Sequence, residues 1–216
     1  MESAETLAAK YLARNATIDV GRCISRGINL VTGNLGLVVG SGLLAFTIAI
    51  GINFVPILGW IASFFVGPAL VAGLYMVLLK RLRGQEAAVG DIFMFFDNAM
   101  LNLAMASILV GILVSIGMLF LILPGIYLAV AYIFTVPLIA DKKLEFWTAM
   151  ELSRKVVTKH WFPALGLIIL AGVIAALGVL ALVIGLVVTA PIAGASLAVA
   201  YDDLFGDQKA EVVSAT

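Results

Sequence analysis

The 216-residue chain is 63% hydrophobic and only 12% charged, whereas a soluble globular domain is ~25% charged. Its 13 basic and 13 acidic residues give a formal net charge of zero. This composition excludes a soluble enzyme, a nucleic-acid-binding protein, a secreted disulfide-stabilised domain and a disordered chain. The sequence predicts a polytopic membrane protein.

Three long blocks of sequence, residues 27–79, 98–140 and 160–201, contain no Asp, Glu, Lys or Arg. Each block is about twice as long as the ~20 apolar residues that one membrane crossing requires. We therefore expect two transmembrane helices in each block, and an all-α fold of six spans arranged as three hairpins.

The first predicted elements are an interfacial helix and a hairpin. Residues 17–33 have amphipathic spacing, with Thr17 as the predicted N-cap. The apolar face of this helix is expected to contain Ile18, Ile24, Ile28 and Val31. Asn53, Pro56 and Gly59 then interrupt the first apolar block, which places two spans at about 35–54 and 57–80.

The middle of the chain repeats this order of elements. Residues 88–98 are predicted as a second interfacial helix that is apolar nearly all round. Leu123-Pro124-Gly125 is the predicted turn of the second hairpin, between spans at about 99–122 and 125–140. A third interfacial helix, at about 143–160, follows this hairpin.

The helix at 143–160 has the clearest amphipathic pattern, because apolar residues recur at helical spacing opposite a polar and basic face. It would lie flat at the headgroup level, with tryptophans as anchors. The candidate contacts to lipid headgroups are Arg154, Lys155, Lys159 and Trp161. The alternative is a connecting helix that packs beneath the bundle.

The third hairpin is less clearly punctuated than the other two. Pro163 suits the first turn of a helix, where its missing N–H costs nothing. Either Gly178 or Gly185 marks the turn, which places the last two spans at about 162–180 and 183–203.

This hairpin pattern puts every charged residue on one side of the membrane. Since Lys and Arg favour the cytoplasmic side, both termini are predicted to be cytoplasmic. Residues 1–206 would form one membrane domain, and residues 207–216 a flexible tail. No cleavable signal peptide is expected, so the first span would serve as the insertion signal.

The second helix of each hairpin carries a proline at a similar distance from its turn, which suggests an internal repeat. These prolines are candidate helix breaks: Pro68, Pro137 and Pro191. A broken helix exposes backbone carbonyls that can bind a cation. The alternative is a kink whose backbone groups are satisfied by neighbouring helices.

Little in the sequence can carry catalysis. His160 is the only histidine and Cys23 the only cysteine, so no metal-ligand pattern is present. No Gly-rich phosphate loop appears. We therefore predict no catalytic residue, cofactor or metal. An enzyme would have to use the carboxylates of the charged side, which are Asp141, Glu145, Asp202 and Asp203.

Three segments carry a resemblance to a known family: GRCISRGINLVTGN, LPGIYLAVAYIFTVPLIADKKLEFWTAMELSRKVVTKHW and AVAYDDLFG. They resemble small bacterial six-helix membrane proteins related to the membrane domain of some glycerophosphodiester phosphodiesterases, including the YciC-like proteins. The resemblance covers residues 17–206 and implies a location in the bacterial inner membrane. It carries over no catalytic residue, and the soluble phosphodiesterase barrel has no counterpart in this sequence.

Two functions suit these observations. The absence of catalytic motifs from the sequence and the location of every charge on one side favour a non-enzymatic scaffold or accessory subunit of a membrane assembly. The alternative is a carrier or modulator of lipids or other apolar small molecules, which a charge-free interior would suit. The expected partners are membrane lipids and a protein partner or second copy of the chain, but not nucleic acid.

Overall fold

The computed structural model describes residues 3–14, 16–54, 58–97, 99–180 and 186–206. Within these ranges the chain forms ten α-helices, one short 3-10 helix and no strand. Six helical segments are long and apolar enough to cross a membrane. The predicted all-α membrane fold with six spans is therefore confirmed.

The helices alternate between short elements at the charged side and long apolar spans. In chain order they are α1 (Ala4–Leu12), α2 (Val20–Gly33), α3 (Leu35–Asn53), α4 (Leu58–Leu82), a 3-10 helix (Val89–Phe93), α5 (Ala99–Phe120), α6 (Ile122–Ala131), α7 (Thr135–Lys142), α8 (Phe146–Lys159), α9 (Trp161–Leu180) and α10 (Leu186–Phe205). The three hairpins are α3 with α4, α5 with α6 and α7, and α9 with α10. The end of the bundle that carries the charged residues is called the charged face below.

The turn of the second hairpin differs from the prediction. The chain leaves helical geometry at Leu121, and Pro124 and Gly125 lie in the first turn of α6. Proline is tolerated there because the first N–H groups of a helix have no intrahelical partner. A Cβ on Gly125 would lie only 2.7 Å from the backbone nitrogen of Met118. This glycine therefore lets α6 pack closely on α5.

The three prolines act differently. The fourth span is interrupted between α6 and α7, just before Pro137. A proline ring clashes with the carbonyl four residues earlier and supplies no N–H, which explains a break at this point. By contrast, α4 continues through Pro68 and α10 continues through Pro191, so neither of these residues breaks its helix.

The third hairpin does not turn at Gly178, which is buried inside α9. Gly is tolerated within a helix where a neighbour packs closely. The other predicted turn residue, Gly185, lies outside the described residues. So do Pro56 of the first turn and the predicted tail at 207–216.

Short helices surround the charged end of the bundle, and α2 packs most extensively against α10. The N-cap of α2 is Asp19, whose carboxylate accepts a hydrogen bond from the backbone N–H of Arg22 at 2.9 Å. The prediction of Thr17 was wrong, because the helix begins two residues further along. The buried face of α2 agrees with the prediction at Val31 but not at Ile28, and it consists of Cys23, Gly27, Leu30 and Val31.

The predicted interfacial helix at 88–98 was wrong, because only the 3-10 helix Val89–Phe93 forms there. The Asp91 carboxylate accepts a hydrogen bond from the backbone N–H of Ala88 at 3.0 Å and one from the Lys80 ammonium at 3.0 Å. Such local bonds compete with a longer helix. A repeat of three equal units stays a prediction, since the other two hairpins follow helices of 14 residues.

The buried core lies near the charged face. The outer halves of the spans, defined here as residues 46–54, 58–68, 107–120, 122–129, 172–178 and 187–194, contain only four buried residues among those whose burial is described, and all four are glycines: Gly59, Gly117, Gly125 and Gly178. Large buried side chains such as Phe134, Leu138 and Tyr201 lie in the inner halves. Large side chains are therefore buried only toward the charged end of the bundle, whereas the close contacts of the outer halves are made at glycines.

Candidate functional site: an ionic junction at the charged face

One charged residue from the inner end of each hairpin contributes to an ionic junction, defined here as Arg83, Asp141 and Asp202. The Arg83 guanidinium donates two hydrogen bonds to the two carboxylate oxygens of Asp141, at 2.5 and 3.0 Å. Its Nε donates a third to Asp202 at 2.9 Å. This bidentate geometry is the one that gives Arg–carboxylate pairs their strength and direction.

The junction is largely shielded from water. The Asp141 side chain is 6% exposed, and those of Arg83 and Asp202 are 23% and 20% exposed. The Tyr201 hydroxyl donates a further hydrogen bond to Asp141 at 3.0 Å. The hydrogen bonds to Asp141 raise the pKa of Arg83 above its usual range, so the guanidinium stays protonated at physiological pH.

A second cluster lies beside the junction and joins α2 to α10. The Asp203 carboxylate is 2.9 Å from the Arg22 guanidinium and 3.8 Å from that of Arg26. The Cys23 thiol lies 3.7 Å from the same carboxylate. Burial, together with the negative charge of Asp203, raises the pKa of Cys23 to about 12. Because the thiolate is the reactive form of cysteine, this thiol is chemically inert.

Aromatic rings fill the space beneath these ion pairs. Tyr201 packs on Phe134 and Phe205, with ring centroids 5.8 and 5.2 Å apart. Phe205 also meets the Tyr11 ring of α1 edge-on at 5.3 Å. Such pairs stabilise by about 0.5–1.5 kcal/mol beyond the area that they bury. The rings therefore attach the N-terminal helix to the same end of α10.

The predicted headgroup residues of α8 mostly have partners within the chain. Arg154 pairs with Glu151 at 2.8 Å, and Lys155 lies 3.4 Å from the same carboxylate. The Lys159 ammonium donates to the Leu12 carbonyl at 3.1 Å. The apolar side of α8 is buried against the bundle, as in the alternative of a connecting helix. Headgroup contact by these residues stays a prediction.

Trp161 and His160 lie where α8 meets α9. The Trp161 ring stacks on Tyr127 with centroids 6.4 Å apart, and its buried indole N–H donates no hydrogen bond to a described residue. Burial, with a smaller contribution from Lys159, lowers the pKa of His160. This histidine is therefore neutral near pH 7, where an unperturbed histidine is already mostly neutral.

From the sequence, Asp141, Asp202 and Asp203 were expected only as carboxylates that an enzyme would need. Arg83 and Tyr201, which bind two of these groups, were not among the predicted site residues. The sequence did contain a signal for this ionic junction, because each of the three hairpins ends at a charged residue directly after an apolar span. In the structure Asp141 and Asp202 form ion pairs between hairpins, and Asp203 forms ion pairs between α10 and α2. The remaining carboxylate, Glu145, lies apart from them on the N-cap of α8.

The described residues contain no group of three or more His, Cys, Asp or Glu that could hold a metal ion. The fold and the junction thus define an integral membrane protein of six apolar helices, whose hairpins are joined by ion pairs at one face. Comparison with protein-family models, with curated proteins and with solved structures finds no match to the chain. The resemblance to the YciC-like proteins stays a prediction.

Proposed function

We propose that the chain is a non-enzymatic membrane protein that binds lipids or other apolar small molecules between the outer halves of its hairpins, as a carrier or modulator. The observation that carries this proposal is the uneven packing of the bundle. In the outer halves no described side chain is buried, although the same six spans are densely packed near the charged face. Half-exposed apolar side chains between spans are what an apolar ligand contacts.

The electrostatics of the charged face support the same proposal. The junction holds the three hairpins together at that face and the second cluster attaches α2 to α10, while the outer halves lack such links among the described residues. A protein with one closed end and one loosely packed end can admit an apolar molecule from the bilayer without exposing a charge to lipid, which would cost several kcal/mol.

The test is native mass spectrometry of the protein extracted from its own membrane under mild conditions. We expect a retained lipid or apolar small molecule. Ile192→Trp, at a half-buried position in the outer half of α10, should lower its occupancy. Ile169→Trp places the same ring on a lipid-facing position that is 58% exposed, and should leave occupancy unchanged. Wild-type protein that carries no such molecule would overturn the proposal.

A scaffold or accessory subunit is the second candidate function, and the surface of α5 favours it. This helix presents a continuous apolar stripe along its whole length, formed by Leu101, Met105, Ile108, Ile112 and Ile116. The stripe has the i, i+4, i+7 spacing of a helix-packing face. A protein that co-purifies at fixed stoichiometry in the same experiment, without a retained apolar molecule, would favour this second function.

We further propose that the charged face is cytoplasmic and that the membrane is a bacterial inner membrane. The supporting argument is the positive-inside rule applied to the loops of the charged face. Glu86 is exposed in one of these loops, so a Glu86→Cys variant in a Cys23→Ser background reports its side. A membrane-impermeant maleimide should label it only after the cells are opened. Labelling in intact cells would reverse the orientation.

A further inference from the structure

A depression of about 560 Å³ opens at the charged face between α1, α5 and the connection from α7 to α8. Its walls are formed by Leu7, Tyr11, Asn102, Lys142, Lys143, Leu144, Glu145, Thr148 and Leu152. It adjoins the ionic junction through Lys142, which lies 3.6 Å from Asp141, and does not extend to the outer halves of the spans. The wall combines apolar side chains with both signs of charge.

Two opposite charges in this wall have not paired. Lys143 and Glu145 are exposed, and neither forms an ion pair with a described residue. Lys143 ends α7 in a left-handed conformation, with φ of 53°, which few residues other than glycine adopt. Glu145 is the N-cap of α8, but its side chain makes no capping hydrogen bond. Its carboxylate therefore accepts no hydrogen bond from the first turn of the helix.

The residue between these two charges is held in place by α5. The Asn102 side chain donates to the Leu144 carbonyl at 2.8 Å and accepts from the Phe146 backbone N–H at 2.7 Å. Both polar atoms of Asn102 are thus used to fix the loop. The positions of Lys143 and Glu145 on the rim are consequently set by the fold.

The depth of the depression relative to the spans matches the headgroup layer. Asn102 lies one turn inside the third span, and Lys142 is the last residue of the fourth span. On α5, Leu101 and Met105 beside Asn102 are 59% and 42% exposed. An amphiphile in the depression would therefore have its polar group between the two charges and its chains against the lipid-facing side of α5.

We propose that this depression binds the headgroup of a zwitterionic phospholipid that carries a phosphate and a primary ammonium. Lys143, assisted by Lys142, binds the phosphate, and Glu145 accepts hydrogen bonds from the ammonium. A purely anionic headgroup would leave Glu145 facing a like charge, which is unfavourable. A quaternary ammonium has no N–H to donate. This site and the proposed ligand of the outer halves are independent, so either can fail alone.

The experiment uses the full chain in nanodiscs that contain equal parts of phosphatidylethanolamine, phosphatidylcholine and phosphatidylglycerol, released into native mass spectrometry. We expect the wild-type protein to retain phosphatidylethanolamine preferentially. Lys143→Asn removes the ammonium while Asn tolerates the left-handed backbone, and Glu145→Gln removes the carboxylate charge. Each should lower this retention about fivefold, as for an exposed ion pair.

Lys10→Asn is the matched control, because Lys10 is an exposed lysine of α1 that does not line the depression. It should leave retention unchanged, and thermal unfolding of all variants should stay within a few degrees of wild type. Equal retention of phosphatidylglycerol that is insensitive to Glu145→Gln would show a simple basic surface and overturn the proposal. So would equal losses in Lys143→Asn and Lys10→Asn.

Discussion

Replacing Arg83 by Met tests whether the ionic junction stabilises the fold. The substitution keeps most of the apolar stem but removes the guanidinium that binds two carboxylates. Asp141, whose side chain is 6% exposed, then loses its bidentate partner inside the protein. Removing one partner of a buried ion pair costs about 3–5 kcal/mol, because the other charge stays buried without compensation.

The expected loss lies at the lower end of that range. Asp202 is 20% exposed, so water can solvate it in part after the change. Lys142 lies 3.6 Å from Asp141 and supplies a second positive charge. We therefore expect Arg83→Met to lower the free energy of unfolding by about 3 kcal/mol.

The measurement is a denaturant titration in mixed micelles, with Arg22→Met as the matched control. Arg22 also pairs with an aspartate of α10, but its side chain is 48% exposed and Arg26 lies near the same carboxylate. Exposed pairs contribute about 0–1 kcal/mol, so the control should lose less than about 1 kcal/mol. Equal losses of unfolding free energy in the two variants would refute this reasoning, because the energetic cost of removing an arginine would then not depend on how deeply its ion pair is buried.

Three further predictions concern close packing, thiol reactivity and pH. Gly27→Ala should lower the melting temperature, because its Cβ would lie 2.8 Å from the α10 backbone and such overpacking costs about 1–3 kcal/mol. The control Gly36→Ala, whose Cβ meets nothing within 4 Å, should be neutral or stabilising. Equal destabilisation by the two substitutions would contradict the close approach of α2 to α10. Wild-type Cys23 should react with maleimide at pH 8 at least ~100-fold more slowly than the cysteine of Glu86→Cys, since burial raises the pKa of the native thiol to about 12. Comparable rates would show that the Cys23 thiol is accessible. Hydrogen bonding to Ala88 and to Lys80 lowers the pKa of Asp91, so the contribution of this carboxylate to stability is complete above its unfolded pKa of ~3.9 and is lost as the pH falls through the lower folded value. The difference in melting temperature between wild type and Asp91→Asn should therefore shrink below pH ~4. A difference that persists there would show that the stabilisation does not come from the ionised carboxylate.

The sequence was informative about the spans because charge is expensive at membrane depth. Three charge-free blocks therefore predict six crossings almost independently of any packing detail. For example, α3 runs from Leu35 to Asn53, against a predicted span of 35–54. Turn positions were less predictable, since Pro124 fits both a turn and the first turn of a helix.

The ionic junction could not be predicted from the same information. Arg83 is separated from Asp141 by 58 positions and from Asp202 by 119. Apolar helices in lipid do not specify their neighbours by hydrophobic pattern, since lipid chains are as apolar as their side chains. Which helix ends meet is therefore a property of the packed bundle and not of any one segment.

The buried face of α2 shows the same effect on a smaller scale. Periodicity predicted Ile24 and Ile28 on the apolar face, but Ile28 is 39% exposed and Cys23 and Gly27 are buried. A small residue at Gly27 lets the backbones of α2 and α10 approach. Large apolar residues beside the bilayer lose little by facing lipid, so hydrophobicity alone predicted Val31 correctly but also placed Ile28 on the buried face.

The contact between α2 and α10 also affects how the protein is made. α2 is among the first segments to leave the ribosome, whereas its main partner is the last described helix of the chain. Each hairpin can enter the bilayer when its own two spans are complete. The α2 surface around Gly27, and the Arg22 side chain that pairs with Asp203, must wait until translation is nearly finished. A nascent chain that stops before α10 would therefore display this surface to the cell's proteases, and completion of the last span would remove it.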